Sequence, residues 1–86
     1  MKIVFEKSAI KYLKGLPRPQ RDLILTAIEK LTHKPAEGDI KPLSGYRGGR
    51  YRLRVGKYRV IYKYQNEYDI QILCVMDIGS RGDIYK

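Results

Sequence analysis

Residues 50–63 read RYRLRVGKYRVIYK, and this stretch decides the fold. Charged and apolar residues alternate before residues 56–57, and β-forming residues follow them, a pattern typical of two strands joined by a two-residue turn. Because successive side chains of a strand point to opposite faces, the arginines of the first strand should share one face. That strand places Arg50, Arg52 and Arg54 on one face and Tyr51, Leu53 and Val55 on the other. The stretch therefore predicts a β-hairpin with a basic face and an apolar face.

The sequence before this hairpin predicts one strand and two helices. Residues 2–6 alternate and are rich in β-forming side chains, so they predict a first strand. Ser8 is a suitable N-cap for a short helix that Gly15 ends. Residues 19–33 repeat apolar side chains at helical spacing and predict a second helix. The Gly and Pro residues within 34–49 predict a loop.

The sequence after the hairpin completes the expected sheet. Residues 65–67 predict a turn, and residues 68–78 predict the longest strand, whose apolar character on both faces suits a central, covered position. The order β-α-α-β-β-β predicts an α+β fold, in which an N-terminal helical hairpin packs on one face of a curved antiparallel sheet. A length of 86 residues suits one domain, expected to span residues 1–86.

The charge of the chain narrows the class of its partners. Eighteen Lys and Arg against nine Asp and Glu give a net charge of +9, and the sequence pI is about 9.8. A pI above about 9 with clustered Arg is typical of nucleic-acid-binding domains, although an acidic protein could use the same surface. Between residues 41 and 63 there is no acidic residue, and the basic ones are Lys41, Arg47, Arg50, Arg52, Arg54, Lys57, Arg59 and Lys63.

Two interpretations of this basic stretch stay open. Three arginines on one strand face repel one another unless anions lie between them, and phosphates would do so because Arg binds phosphate through two N–H groups. Some of the tyrosines in the same stretch could stack on bases; these tyrosines are Tyr46, Tyr51, Tyr58, Tyr62 and Tyr64. The alternative is a solvated strand face whose charges keep a sheet edge from aggregating.

Other residue types exclude several kinds of site. Cys74 is the one cysteine and lies in an apolar run, which predicts a buried core thiol and no disulfide. A single Cys and the single His33 exclude a Cys/His zinc site on this chain. Asp77 and Asp83 are expected to neutralise nearby arginines, since no carboxylate cluster for magnesium is visible. We therefore expect no metal and no cofactor.

The expected location is the cytoplasm. No apolar stretch approaches the about 18–20 residues needed to cross a membrane. The first residues also lack the long apolar region of a signal peptide.

Three parts of the sequence resemble the RelE/ParE superfamily, the toxins of type II toxin–antitoxin pairs. Residues 51–62, YRLRVGKYRVIY, resemble the hairpin of that family, and residues 43–45 resemble the K-L-x-G motif that leads into it. Residues 78–85, IGSRGDIY, resemble its C-terminal G-x-R…x-Y motif. The strand and helical hairpin predicted before them match in order and length. The resemblance covers essentially the whole chain and implies a RelE-like microbial RNase fold.

The resemblance implies a ribosome-dependent endoribonuclease of the RelE branch, an mRNA interferase. Such toxins cut mRNA in the ribosomal A site, where the 2′-hydroxyl of the message attacks the adjacent phosphate. Carried over by position, the catalytic set is Arg52, Arg54, Arg59, Arg81 and Tyr85. The remaining basic residues expected to bind RNA are Lys41, Arg47, Arg50, Lys57 and Lys63.

The general base stays open at this stage. Better-known RelE toxins have Lys where this chain has Arg52 and Arg54, and an arginine, with a pKa of about 12.5 or more, is a poor base near pH 7. Tyr85 is a better acid–base candidate if Arg81 stabilises its phenolate. Otherwise the ribosome or the RNA supplies part of the proton transfer.

The resemblance also implies a protein partner, a cognate RelB-like antitoxin. The charge of +9 predicts that this antitoxin is acidic, folds on binding and competes with RNA for the arginines. Two alternatives stay open. One is a ParE-like toxin that inhibits DNA gyrase by binding, and the other is a catalytically weak RNA-binding module of the same fold.

Overall fold

A computed structural model of the protein describes residues 1–43 and 49–80. It contains two helices, a short 3-10 turn and five strands. In chain order these elements are β1 (Lys2–Phe5), α1 (Lys7–Lys14), α2 (Arg18–Glu29), the 3-10 turn (Lys30–Thr32), β2 (Asp39–Pro42), β3 (Tyr51–Val55), β4 (Tyr58–Glu67) and β5 (Ile70–Ser80).

The strands form one sheet in the order β1-β5-β4-β3-β2. Strands β2 to β5 pair antiparallel with their neighbours, whereas β1 lies parallel to β5. The α+β class and the helical hairpin are confirmed, but the sheet is mixed and not purely antiparallel. The reason is connectivity, because only strands joined by short turns are forced to run antiparallel, and β1 is not joined to β5 by such a turn.

The prediction of a loop throughout residues 34–49 is wrong for Asp39–Pro42, which form the edge strand β2. In the pairing of β2 with β3, Asp39 lies opposite Arg54 and Pro42 lies opposite Tyr51. Pro42 is tolerated because an edge strand leaves one side of its backbone unpaired. So short a strand owes its extended shape to the backbone of β3, and its own sequence pattern is too brief to reveal it.

The capping role predicted for Ser8 is wrong. Helix α1 starts after Glu6, which makes no side-chain capping bond. Ser8 lies one residue inside the helix, and its hydroxyl donates to the carbonyl of Met76 at 2.9 Å. The side chain therefore ties α1 to β5. Gly15 follows the last residue of the helix, as predicted.

The turn after the long hairpin lies later than predicted. Residues 65–67 belong to β4, and the chain reverses at Tyr68 and Asp69, whose φ angles are 50° and 65°. Two consecutive residues with positive φ are typical of a tight hairpin turn that matches the twist of the strands. The turn predicted at residues 56–57 is confirmed between β3 and β4.

The core lies between the helices and one face of the sheet. Ile24 and Ile28 of α2 pack with Leu53, Val60 and Val75 from three adjacent strands. Strand β5 is interior to the sheet, as predicted, because β1 covers its outer edge.

In the two described ranges, no helix is long and apolar enough to span a membrane.

Candidate nucleic-acid interface

The sheet face opposite the helices carries a cluster of basic side chains from β2, β3 and β4. Directly paired residues of neighbouring strands point to the same face. Arg54 pairs with Arg59 across β3 and β4, and Lys41 pairs with Arg52 across β2 and β3. Alternation along β4 adds Lys63. We call the surface formed by Lys41, Arg52, Arg54, Arg59 and Lys63 the basic face.

The predicted alternation along β3 is confirmed. Leu53 is only 1% exposed and Val55 is also buried, both on the helix side, while Arg54 is exposed. Arg50 precedes β3 and is half-buried, and its carbonyl accepts the N–H of Leu43 at 3.0 Å. The apolar half of the strand anchors the hairpin in the core, and this fixes where the arginines emerge.

One carboxylate, that of Asp39, bridges two of the arginines. Arg52 Nη2 donates to Asp39 Oδ1 at 3.1 Å, and Arg54 Nε lies 3.5 Å from Asp39 Oδ2. The sequence does not single out Asp39, because it precedes the acid-free stretch and falls in the predicted loop. The charged–apolar–charged pattern of Asp39-Ile40-Lys41 is a weak signal for a strand at this position. Asp77 accepts the N–H of Ile78, and Asp83 lies outside the described residues, so the neutralising role expected of these two carboxylates stays a prediction.

The arginines of the basic face differ in accessibility. The side chain of Arg52 is 15% exposed, against 53% for Arg54 and 56% for Asp39. Arg52 Nε is buried without a hydrogen-bond partner in the part of the chain that the structure describes. Arg59 is half-buried and donates to the carbonyl of Tyr58 at 3.4 Å. Arg52 and Arg59 are thus less accessible than Arg54.

The other predicted site residues fall into two groups. Lys57 lies at the hairpin turn with its Nζ 5.4 Å from the ring centroid of Tyr58, a distance suited to a cation–π contact. Arg47, Arg81 and Tyr85 lie outside the described residues. The structure therefore brings the hairpin cations together, and the parts assigned to Arg81 and Tyr85 stay predictions.

Four of the tyrosines lie on the helix side of the sheet, away from the basic face. Tyr51, Tyr62 and Tyr64 pack against one another on the helix side, with ring centroids 5.5–6.3 Å apart. Tyr58 is buried there too. Burial raises the pKa of Tyr62 and of Tyr64, and the Tyr64 hydroxyl donates to the carbonyl of Leu31 at 2.8 Å. All four rings pack in or against the core, and the raised pKa makes Tyr62 and Tyr64 poor general bases. Tyr46 lies outside the described residues.

Cys74 and His33 have no place among the hairpin arginines. The prediction that Cys74 is a buried core thiol is wrong, because the residue is only half-buried. Its thiol donates to Gln65 Oε1 at 3.0 Å. His33 is exposed and pairs with Glu37, and the hydrogen bond from His33 holds the pKa of Glu37 below its usual value. Within residues 1–43 and 49–80, no three metal-ligating side chains converge.

Comparison with known proteins identifies the family. The sequence model of the family described as ParE toxin of type II toxin–antitoxin system, parDE, matches residues 3–85. Toxin RelE3 of Methanocaldococcus jannaschii is 38% identical over 64 residues, which cover 70% of this chain and 72% of that protein.

Solved structures agree with this match. A chain of the archaeal RelE-RelB complex from Pyrococcus horikoshii superposes with a TM-score of 0.73 at 26% identity, covering 95% of this chain and 96% of that one. A chain of the RelB-RelE antitoxin-toxin complex from Methanococcus jannaschii gives a TM-score of 0.69 at 30% identity, with coverages of 95% and 94%. The fold, the sequence match and the basic hairpin together show that the chain belongs to the RelE/ParE family of type II toxin–antitoxin toxins.

Proposed function

We propose that the protein is a ribosome-dependent endoribonuclease that cuts mRNA in the A site. The observation that carries this proposal is the clustering of Arg52, Arg54 and Arg59 on the sheet face opposite the helices. Like charges directly opposite one another on a sheet are destabilising. Their convergence is best explained by a polyanion that lies across the face, and single-stranded RNA supplies a series of phosphates.

The arginines suit the chemistry of RNA cleavage. Attack of the 2′-hydroxyl oxygen on the adjacent phosphorus forms a new P–O bond, and the bond to the 5′-oxygen breaks. Negative charge builds on the phosphate oxygens, and guanidinium donors aimed at them lower the barrier. One preorganised donor of this kind is typically worth about 10²–10³ in rate. Arg54 is accessible to the message, and the less exposed Arg52 and Arg59 lie beside it.

Two protons must also move, one from the 2′-hydroxyl and one to the departing 5′-oxygen. Arg52 and Arg54 are poor bases because the pKa of an arginine is about 12.5 or more. Tyr62 and Tyr64 are removed from this role by burial. Tyr85, with Arg81 to stabilise its phenolate, is the residue we propose for proton transfer, in a reaction that needs no metal ion.

We also propose that a RelB-like antitoxin neutralises the protein in the cytoplasm. The two structures compared above are described as RelE–RelB complexes, which supports a partner of this type. An acidic segment that folds on binding would compete with RNA for the basic face.

A second candidate is a ParE-like toxin that binds DNA gyrase. The family description that matches residues 3–85 names ParE, and this favours keeping the candidate. Binding to gyrase would need no proton transfer at Tyr85.

Primer extension on mRNA from translating ribosomes tests the proposal. We expect the protein to produce cuts in the A-site codon, and Arg59→Ala to reduce them by about 10²-fold or more. Arg18→Ala is the matched control, because it removes a guanidinium from α2 on the helix side of the sheet. Intact mRNA together with inhibited gyrase supercoiling would contradict the RNase and support the ParE-like candidate.

A further inference from the structure

Asp39 is placed by β2 directly beside the arginines of the proposed site. Register aligns Asp39, Arg54 and Arg59 across three neighbouring strands. Its carboxylate contacts Arg52 through one oxygen and Arg54 through the other. Carboxylate and phosphate oxygens bind guanidinium groups in the same way. Asp39 therefore takes up arginine donors that a phosphate would otherwise use.

The two contacts of Asp39 are not equivalent. The contact to Arg52 is short, at 3.1 Å, and Arg52 is only 15% exposed, so this pair is partly shielded from water. The contact to Arg54 is 3.5 Å long and both side chains are more than half exposed. An exposed ion pair is weak and easily exchanged, whereas a shielded one resists exchange.

Resting on the proposed function, we propose that Asp39 is a positioning residue for the arginines of the site. It keeps hold of Arg52 while RNA is bound, and it yields Arg54 to a phosphate of the message. Without RNA, it offsets the repulsion between the two guanidiniums. Asp39 then has two opposite effects, since it weakens RNA binding through competition for Arg54 and favours cleavage by orienting Arg52.

The ordinary alternative is an exposed acid that only keeps an edge strand soluble. Such a residue would influence neither the arginine side chains nor the balance between binding and cleavage. Asp39→Asn distinguishes the two roles because it keeps the shape and removes the charge. Asp69→Asn is the matched control, since it removes one charge from the β4–β5 turn, and Asn tolerates the positive φ of that position.

Two measurements do not require the protein to cut RNA. The first is the NMR signals of the Arg52 and Arg54 Nε–H groups, which Asp39→Asn should shift and Asp69→Asn should leave unchanged. The second is the affinity for a single-stranded RNA whose reacting 2′-hydroxyl is replaced by hydrogen. We expect Asp39→Asn to bind about twofold to fivefold tighter, the range expected for one exposed ion pair.

The third measurement is the rate of mRNA cleavage at saturating protein on ribosomes. We expect Asp39→Asn to cleave about tenfold to a hundredfold more slowly, because a misplaced group of the site costs that much in rate. Tighter binding with slower cleavage is a combination that a merely structural role would not produce. The melting temperature of both variants serves as the check on folding.

Other outcomes would overturn the inference. Unshifted arginine signals with unchanged affinity would make Asp39 an ordinary edge residue, as would weaker binding with a lowered melting temperature. Faster cleavage would show competition without positioning. If the wild-type protein cuts no mRNA, the proposed function fails. Shifted arginine signals and tighter RNA binding in Asp39→Asn would then still show that Asp39 holds the arginines. Unshifted signals and unchanged binding would overturn that role as well.

Discussion

Arg52 and Arg54 are two residues apart on one strand, yet their surroundings differ. Arg52 is 15% exposed and paired at 3.1 Å, whereas Arg54 is 53% exposed and its contact to the same carboxylate is longer. The first is suited to a fixed orientation and the second to reaching a ligand. Their common residue type therefore conceals two different roles in the proposed site.

Tyr62 provides a test of which tyrosine transfers protons. Its ring is 1% exposed and burial raises its pKa, so its hydroxyl has no access to RNA. We expect Tyr62→Phe to leave mRNA cleavage within about twofold, whereas Tyr85→Phe should lose about 10²-fold or more, as is typical of general acid–base groups. Cleavage on translating ribosomes, measured at equal folded protein, checks both values. Loss of activity in Tyr62→Phe at unchanged melting temperature would contradict the assignment.

At the scale of elements, β2 determines the composition of the site. It brings Asp39 and Lys41 beside β3 and closes that edge of the sheet. Gly38 directly precedes β2, and its φ is 137°. An added Cβ at this position would lie 2.7 Å from Leu53 Cδ1. Leu53 is in the core, so this contact has little room to relax.

Gly38→Ala should therefore destabilise the protein. We expect the free energy of unfolding to fall by about 2–4 kcal/mol, from backbone strain and steric overlap together. Gly56→Ala is the matched control, because Gly56 also has a positive φ, of 58°, but its Cβ would meet open space. We expect a loss of only about 1–2 kcal/mol there. Urea denaturation measures both, and equal losses would show that the overlap with Leu53 is relieved.

At the scale of the whole molecule, the sheet separates the hydrophobic core from the basic face. The helices and core residues occupy one side of the sheet, and the cations Lys41, Arg52, Arg54, Arg59 and Lys63 lie on the other. A ligand on the basic face can therefore be held without disturbing the core.

The salt dependence of RNA binding tests this arrangement. Each phosphate contact contributes about −0.7 to the slope of log affinity against log salt for single strands. We expect a slope between about −2 and −3.5 for three to five contacts, and Lys63→Ala should make it shallower by about 0.7. Lys30→Ala, on the 3-10 turn of the helix side, should leave the slope unchanged. Equal effects of the two variants would remove the basic face from the interface.

Much of the fold was readable from local patterns. The hairpin, both helices and the interior β5 follow from alternation, helical periodicity and turn residues, since these depend on neighbours in the sequence. The resemblance of residues 51–62 and 78–85 to the RelE/ParE family then indicated the class of protein, which the comparisons confirm. Local patterns also separated Leu53 and Val55 from Arg52 and Arg54, which alternate with them.

Tertiary structure alone decided what depends on distant strands. The pairing of β1 with β5, the edge strand β2 and the contact of Asp39 with Arg52 join parts of the chain that no short sequence window contains. The burial of Tyr62 likewise depends on the rings and the core packed around it. By itself the sequence determined a basic hairpin on an α+β scaffold. The packed sheet determined which of its side chains are buried, which are paired and which are exposed to solvent, because burial and pairing are properties of the space around a residue.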